Sequence, residues 1–218
     1  MAVRLSVVTS RQFDQNAYVV GLPGRSEVVV VDPGFDAERI VAHLTAKSLT
    51  VAAILLTHGH VDHIAGVERL KGFAPAAPVV IGRLDAPMLT DANLNLSAPF
   101  GTPVVAPAAD RLLDDNESVE FAGLALEVRH VPGHSPGHVV FVIAGAGGDP
   151  TVVLGGDVLF AGGVGRTDFP GGSHRQLIDG IHARLYTLPG DTQVFPGHGP
   201  PTTVAAEQAG NPFTGGRA

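Results

Sequence analysis

The segment Thr-His-Gly-His-Val-Asp-His at 57–63 gathers three of the chain's ten histidines and one aspartate directly after the apolar run at 51–56. Imidazole nitrogen and carboxylate oxygen are ligands for divalent cations, and because the chain has no cysteine, a metal has to be held by His, Asp and Glu. Three further residues of the same chemistry sit in comparable places: His134 in Val-Pro-Gly-His, Asp157 in Gly-Gly-Asp and His198 in Pro-Gly-His-Gly. His58, His60, Asp62, His63, His134, Asp157 and His198 are more ligands than one ion with a position left for water can use. The set therefore points to two cations that share a bridging carboxylate. His58 and His60, two apart, can face the same way from an extended segment, whereas Asp62 and His63 turn onto a following helix and can face a second ion. Gly59, Gly133, Gly156, Gly197 and Gly199 let the backbone come close to such a centre. His138, in Gly-His-Ser-Pro-Gly-His, reads as a donor to a ligand rather than a ligand itself. His43, His130, His174 and His182 lack such company and read as ordinary surface or core residues.

The elements that must position this set follow from hydrophobic period and turn residues. Residues 17–21 and 27–32 read as a β-hairpin around Leu-Pro-Gly at 22–24. Residues 36–47 have apolar Ile40, Val41 and Leu44 at helical spacing, with Asp36 placed as cap. A buried strand at 51–56 leads into the ligand cluster, and a helix is expected from about 63 to 70. Residues 73–110 carry a short strand at 79–81, one helical turn and otherwise irregular chain. Residues 119–131 form a hairpin broken at Ala122-Gly123, followed by strands at 139–143 and 151–154 around the turn at 145–148. A last helix starts at Ser173, where Ser-His-Arg-Gln is a capping box, and buries Leu177, Ile178, Ile181 and Leu185. A short strand at 192–195 leads to Pro-Gly-His-Gly at 196–199, and the tail 211–218 is expected to fray. Every candidate ligand follows a strand, and strand ends along one edge of a sheet converge in space.

The chain has 218 residues, which fits one domain, and its 44% hydrophobic and 16% charged composition is that of a globular protein. Its N-terminal twenty residues resemble no secretion signal and no run approaches a bilayer span, so a cytoplasmic protein without membrane contact is expected. The net charge of −7, with no basic window, argues against a nucleic-acid partner.

His-x-His-x-Asp-His at 58–63, followed in order by His134, Asp157 and His198 in their turns, resembles the metallo-β-lactamase superfamily. The resemblance implies an α+β fold, an αββα four-layer sandwich of two mixed β-sheets flanked by helices. It also implies two divalent metal ions, zinc foremost with iron or manganese open. His58, His60 and His134 would hold one, Asp62, His63 and His198 the other, and Asp157 would bridge them. Within the superfamily, the segment 156–173, Asn-Ala-Tyr at 16–18, Val-Asp-Pro-Gly at 31–34 and Asn-Pro-Phe at 211–213 are similar to the short bacterial branch of the glyoxalase II-like hydrolases, also called hydroxyacylglutathione hydrolases. The activity this implies is hydrolysis of a small-molecule thioester by hydroxide between the cations, with Asp62 orienting it. Arg166 is then the candidate for an anionic substrate group, or else a residue that pins its loop through Asp168. Longer glyoxalase II enzymes continue past the last histidine with a region that grips glutathione, whereas twenty residues follow His198 here, so another thiol carrier is open. β-Lactamases fit less well, lacking here both a secretion signal and the metal-ligating cysteine of their commonest subclass. RNA-processing relatives carry extra domains. A mononuclear iron persulfide dioxygenase, which shares the Gly-Arg-Thr-Asp-Phe segment and uses a subset of the same ligands, is the alternative. A non-catalytic metal protein is disfavoured, because no position of the set is degraded. The acyl group, the metal and the oligomeric state are not written in these residues.

Overall fold

The computed structural model describes residues 3–99 and 101–215. The first half of the chain forms β1 (Arg4–Thr9), β2 (Asn16–Gly21), β3 (Glu27–Val31), α1 (Ala37–Ala46), β4 (Thr50–Leu56), α2 (Val61–Ile64), α3 (Val67–Phe73), β5 (Val79–Gly82) and β6 (Arg111–Leu113). Its strands make one mixed sheet in sequence order: β1, β2 and β3 pair antiparallel, and β3 to β6 pair parallel. The second half forms β7 (Ser118–Phe121), β8 (Leu124–His130), β9 (Val139–Ile143), β10 (Val152–Gly156), the two-residue strands β11 (Leu159–Phe160) and β12 (Gly163–Val164), α4 (His174–Gly180), β13 (Gln193–Pro196), β14 (Thr202–Thr203) and α5 (Val204–Gly210). Here the sheet order is β14-β13-β10-β9-β8-β7, with β11 and β12 a separate hairpin.

The four valines at 28–31 show why a continuous apolar run is a strand here. Val29 and Val31 pack with Leu55, Phe141 and Leu154 between the two sheets, while Val28 and Val30 pack with Ile40, Leu44 and Leu70 under the helices. Both faces are covered, so alternation disappears from the sequence. The second sheet repeats this: Phe141 faces the first sheet, and its neighbours Val140 and Val142 face Leu177, Ile178, Ile181 and Leu185. The result is the αββα sandwich of the α+β class expected above. Each fully buried side chain of this size contributes about 1.5–3 kcal/mol.

Four local expectations need correction. Asp36 precedes α1 but makes no capping hydrogen bond; its carboxylate instead accepts from the backbone N–H and guanidinium of Arg11. The helix expected from 63 to 70 is two pieces, α2 and α3, parted at Ala65 and Gly66. Gly66 sits against the backbone of Pro33 and Gly34, and its N–H donates to the Pro33 carbonyl at 2.8 Å. The helix at Ser173, capped as expected through Gln176 N–H and continued by a π-turn over Ile181–Leu185, is not the last, because α5 follows. Finally, 211–215 is packed, with Asn211 and Thr214 buried, while 216–218 lie outside the described residues.

Replacing a helical glycine by alanine ordinarily stabilises, but a Cβ at Gly66 would lie 2.4 Å from the Gly34 carbonyl oxygen and 2.8 Å from Ala37 Cβ. Gly66→Ala is expected to lower stability by about 1–3 kcal/mol in urea unfolding at unchanged m-value. A gain would refute this account of the break.

Candidate metal centre

All seven sequence-selected residues arrive at one edge of the sandwich. His58 and His60 follow β4, Asp62 and His63 lie on α2, His134 follows β8, Asp157 follows β10, and His198 follows β13. Both sheets therefore contribute, and the inter-sheet core sets the spacing. In each of three groups one ligand atom per residue lies within 4.8 Å of the others: His58, His60 and His134; His58, His63 and Asp157; and Asp62, His63 and His198. Asp157 is central, with Oδ1 3.3 Å from His63 Nε2 and Oδ2 3.5 Å from His134 Nε2 and 3.6 Å from His198 Nε2.

Four of the five imidazoles are anchored from behind by Nδ1. His134 donates to the Arg166 carbonyl at 2.8 Å, His198 to the Phe13 carbonyl at 2.9 Å, and His63 to Asp32 Oδ2 at 2.9 Å. His58 faces Thr57 Oγ1 at 3.1 Å; that hydroxyl gives its own proton to Asp32, so it accepts from His58. Each ring is thereby fixed with the Nε2 lone pair turned inward. His60 presents Nδ1 instead, 2.8 Å from His134 Nε2, and the lone pairs of His134 and His58 Nε2 face each other at 3.2 Å. His63 Nε2 and Asp157 Oδ1 are buried without a hydrogen-bond partner. Inward-facing lone pairs and orphaned buried acceptors are what a cation would satisfy, so this donor set fits metal ions.

The electrostatics separate the two sides. Burial, and then neighbouring imidazoles, push His58 well below its ordinary value, and burial followed by His134 takes His60 down to about 3. These rings are neutral and ready to ligate. On the other side burial opposes the charged forms but is outweighed: Asp157, Asp62 and Asp32 raise His63 well above its ordinary value, and Asp62 and Asp157 raise His198. Asp157, likewise against burial, is held far below the usual carboxylate range by His63, His134 and His198.

Several residues that sequence reasoning passed over hold the ligands. Asp32, buried at φ +49°, takes Thr57 N–H at 2.8 Å, Thr57 Oγ1 at 2.7 Å and His63, linking the ends of β3 and β4. Its position in Val-Asp-Pro-Gly after a valine strand was the available signal. Buried Asp85 accepts from Gly59 N–H, Gly137 N–H and Ser135 Oγ, tying the His58–His60 segment to the His134 loop. Asn16 and Tyr18 stitch β2 to the His198 turn, Tyr18 Oη donating to the Pro196 carbonyl at 2.6 Å and Asn16 Nδ2 to the Gly199 carbonyl at 2.9 Å. His138 is an acceptor rather than the expected donor: its Nε2 takes the Asp157 backbone N–H at 3.0 Å while its ring stacks on His58. Of the five glycines, Gly156 and Gly197 do face the centre, where a Cβ would lie 2.3 Å from Thr57 Oγ1 and 2.2 Å from Asp157 Oδ1 respectively. Gly59 abuts Met88 and Gly133 abuts α4, and Gly199 has open space but φ +76°.

The centre opens into a cleft of about 370 Å3 lined by His60, Asp62, His134, Asp157 and His198 on its floor. Phe13, Leu96, Phe160, Val164 and Phe169 form apolar walls. Arg166 is at the rim, doubly bonded to Asp168 at 2.7 Å and stacked 4.0 Å above the Phe169 ring.

The sequence profile of the metallo-β-lactamase superfamily matches residues 10–198. The chain belongs to this superfamily. It is 40% identical to the probable metallo-hydrolase YqgX of Bacillus subtilis over 92% of both chains, and 32% identical to the hydroxyacylglutathione hydrolase GloC of Haemophilus influenzae over 97% of this chain and 98% of that one. Among solved structures it is similar to the BLEG-1 B3 metallo-β-lactamase, with TM-score 0.92 and 37% identity over 98% and 100% of the two chains. It is likewise similar to TTHA1623 in a di-iron-bound form, with TM-score 0.80 and 36% identity over 95% and 99%. A glyoxalase II-like branch of the superfamily is consistent with these relatives. No helix among the described residues is long and apolar enough to cross a membrane.

Two outcomes follow for metal uptake. Asp32→Asn is expected to weaken metal binding about 10- to 100-fold, read by competition with a chelator, because His63 loses the carboxylate that fixes its tautomer. Ligation needs the neutral imidazole, and the carboxylates beside His63 and His198 raise the affinity of both rings for a proton, so cations and protons compete there. Binding is therefore expected to release protons at pH 7 and to weaken as pH falls. Calorimetry in two buffers of different ionisation enthalpy measures the release; a count of zero contradicts it.

Proposed function

We propose that the protein hydrolyses a small-molecule thioester, such as an S-2-hydroxyacyl thiol, to acid and thiol at a centre of two divalent cations, zinc foremost. The observation that carries this reading is the pair of inward-facing ligand clusters either side of Asp157, open to a cleft of about 370 Å3. His58, His60 and His134 would hold one ion, Asp62, His63 and His198 the other, with Asp157 between them. The similarity to GloC, named a hydroxyacylglutathione hydrolase and matched over 98% of its length, supports the thioester class and keeps a glutathione carrier in play.

When bound, divalent cations supply Lewis acidity that makes water a nucleophile near neutral pH and polarises a carbonyl. Asp62, whose Oδ2 lies 3.1 Å from His198 Nε2, lines the cleft and would orient the attacking water and take its proton. Burial and the flanking imidazoles govern that carboxylate: burial raises its affinity for a proton, and His63 and His198 prevail and lower it, keeping it ionised as a base. Phe160 and Phe169 narrow the approach of bulk water. The Nε and Nη2 of Arg166 are engaged by Asp168 in an exposed pair of small energetic weight, so an anionic substrate group that took both would have to displace that carboxylate.

Protein purified without added metal is expected to carry about two metal ions per chain and to cleave a hydroxyacyl thioester under nitrogen. Asp62→Asn should lower kcat about 10²- to 10⁴-fold, and near-wild-type turnover in metal-replete variant would sink the assignment. The same assays separate two rivals. Oxygen uptake on a thiol persulfide with one iron would indicate a persulfide dioxygenase, and faster cleavage of a cephalosporin than of any thioester would follow the likeness to BLEG-1.

A further inference from the structure

α5 lies outside the metal centre, yet its residues grip the cleft wall. Glu207 is 4% exposed. Its Oε2 accepts from Gly162 N–H at 3.0 Å and from Asn211 Nδ2 at 2.8 Å, and its Oε1 accepts from Thr202 Oγ1 at 2.6 Å. The second amide hydrogen of Asn211 goes to the Gly163 carbonyl at 3.0 Å, and Asn211 Oδ1 accepts from Phe213 N–H at 2.9 Å. Every polar atom of the buried Asn211 amide is engaged, which gives the Asn-Pro-Phe segment a job in the fold.

Gly162 lies in the turn of the β11–β12 hairpin and Gly163 opens β12, paired with Phe160. A ladder of two residue pairs cannot hold itself in water, so its position is set from outside. From this hairpin Phe160 and Val164 face the cleft, and two residues later the Arg166 carbonyl anchors His134. The Phe160 ring stands edge-on to His198 at 6.2 Å, and Phe169 stands edge-on to His60 at 5.3 Å. Together with Phe13 and Leu96 these rings make an apolar slot directly beside the ligand nitrogens. Such a slot recognises an apolar, preferentially aromatic, group by area burial and by edge-to-face contact.

We propose that Glu207 and Asn211 are positioning residues for this slot: they clamp the β11–β12 hairpin so that Phe160 and Val164 receive an apolar or aryl part of the ligand next to the metal centre. Only the naming of that ligand as a thioester rests on the function proposed above.

The test uses binding rather than turnover, so it remains readable if the thioester reading fails. Metal-loaded protein is titrated calorimetrically with thiophenol, which can reach both the metal and the slot, and with 2-mercaptoethanol, which reports the metal alone. Asn211→Asp is isosteric but removes two donors and sets a second carboxylate against Glu207. It is expected to weaken thiophenol about tenfold, leave 2-mercaptoethanol within about twofold, and leave metal content unchanged. Phe160→Ala, which removes the wall directly, should show the same split. Glu207→Gln should bind as wild type, because its amide oxygen still accepts from Gly162 and Asn211 while its nitrogen turns to Thr202. Thiophenol affinity unchanged in Asn211→Asp, or both thiols weakened alike, would overturn the proposal.

Discussion

The rest of the structure depends on a repulsion. Inward-facing imidazole lone pairs and two ionised carboxylates are forced into a volume from which water is largely excluded, and such groups have no favourable arrangement without positive charge. In metal-free protein the carboxylates of Asp32, Asp62 and Asp157 raise the affinity of His63 for a proton, and Asp62 and Asp157 raise that of His198. On the other side burial, aided by neighbouring imidazoles, lowers the proton affinity of His58 and His60. The centre is therefore asymmetric before any ion arrives: protons compete for the imidazoles of His63 and His198 more than for those of His58 and His60. Ligands that would drift apart in a flexible chain stay together because four of the five rings are tethered at the far nitrogen to a fixed oxygen.

Holding that arrangement is the business of both sheets. The tethers come from turns on opposite halves of the sandwich, so their spacing is inherited from the inter-sheet core around Val29, Leu55, Phe141 and Leu154. Where the core alone is too coarse, buried polar links take over: Tyr18 to Pro196 across the sheets, Asp85 to Ser135 and Gly137 between ligand loops, and His138 to the Asp157 amide. Strain gathers at the same edge. Phe13, Asp14 and Asp32 all have positive φ, and Phe13 and Asp32 supply acceptors to His198 and His63. Unfavourable backbone conformations next to ligand anchors persist only where the surrounding packing over-determines them.

What was legible in the sequence divides along the same line. The ligands were legible because a metal site needs particular atoms in short segments, and those segments stand after recognisable strands. The sandwich was legible because runs such as 28–31 and 139–143 bury both faces. What escaped was tertiary. Asp32 looks like a turn residue before Pro-Gly, and its partner His63 is 31 positions away. Gly66 breaks a helix whose local pattern continues, because the obstacle is the backbone at 33 and 34. α5 is short and alanine-rich, and what orders it is the burial of Glu207 among three donors. His138 was given the wrong direction of hydrogen bonding because its tautomer is decided by an amide at 157. The strand β1 is only partly buried and carries a weak period.

The candidate metal ligands say little about which bond a member of this superfamily cleaves. The same chain is similar over nearly its full length to proteins named as a hydroxyacylglutathione hydrolase and as a B3 metallo-β-lactamase, so one fold serves different leaving groups. Selectivity is a difference in transition-state binding, and it has to be written in groups that touch the substrate beyond the reacting carbon. In this chain the cleft beyond the candidate ligands is lined by Phe13 on a strained turn, Leu96 on an irregular segment, Phe160 and Val164 on a hairpin too short to stand alone, and Arg166 beside Phe169. None lies within the two large sheets. The sheets can stay constant while the rim varies, and the substrate of a member of this superfamily is better sought in what supports its rim than in its histidines.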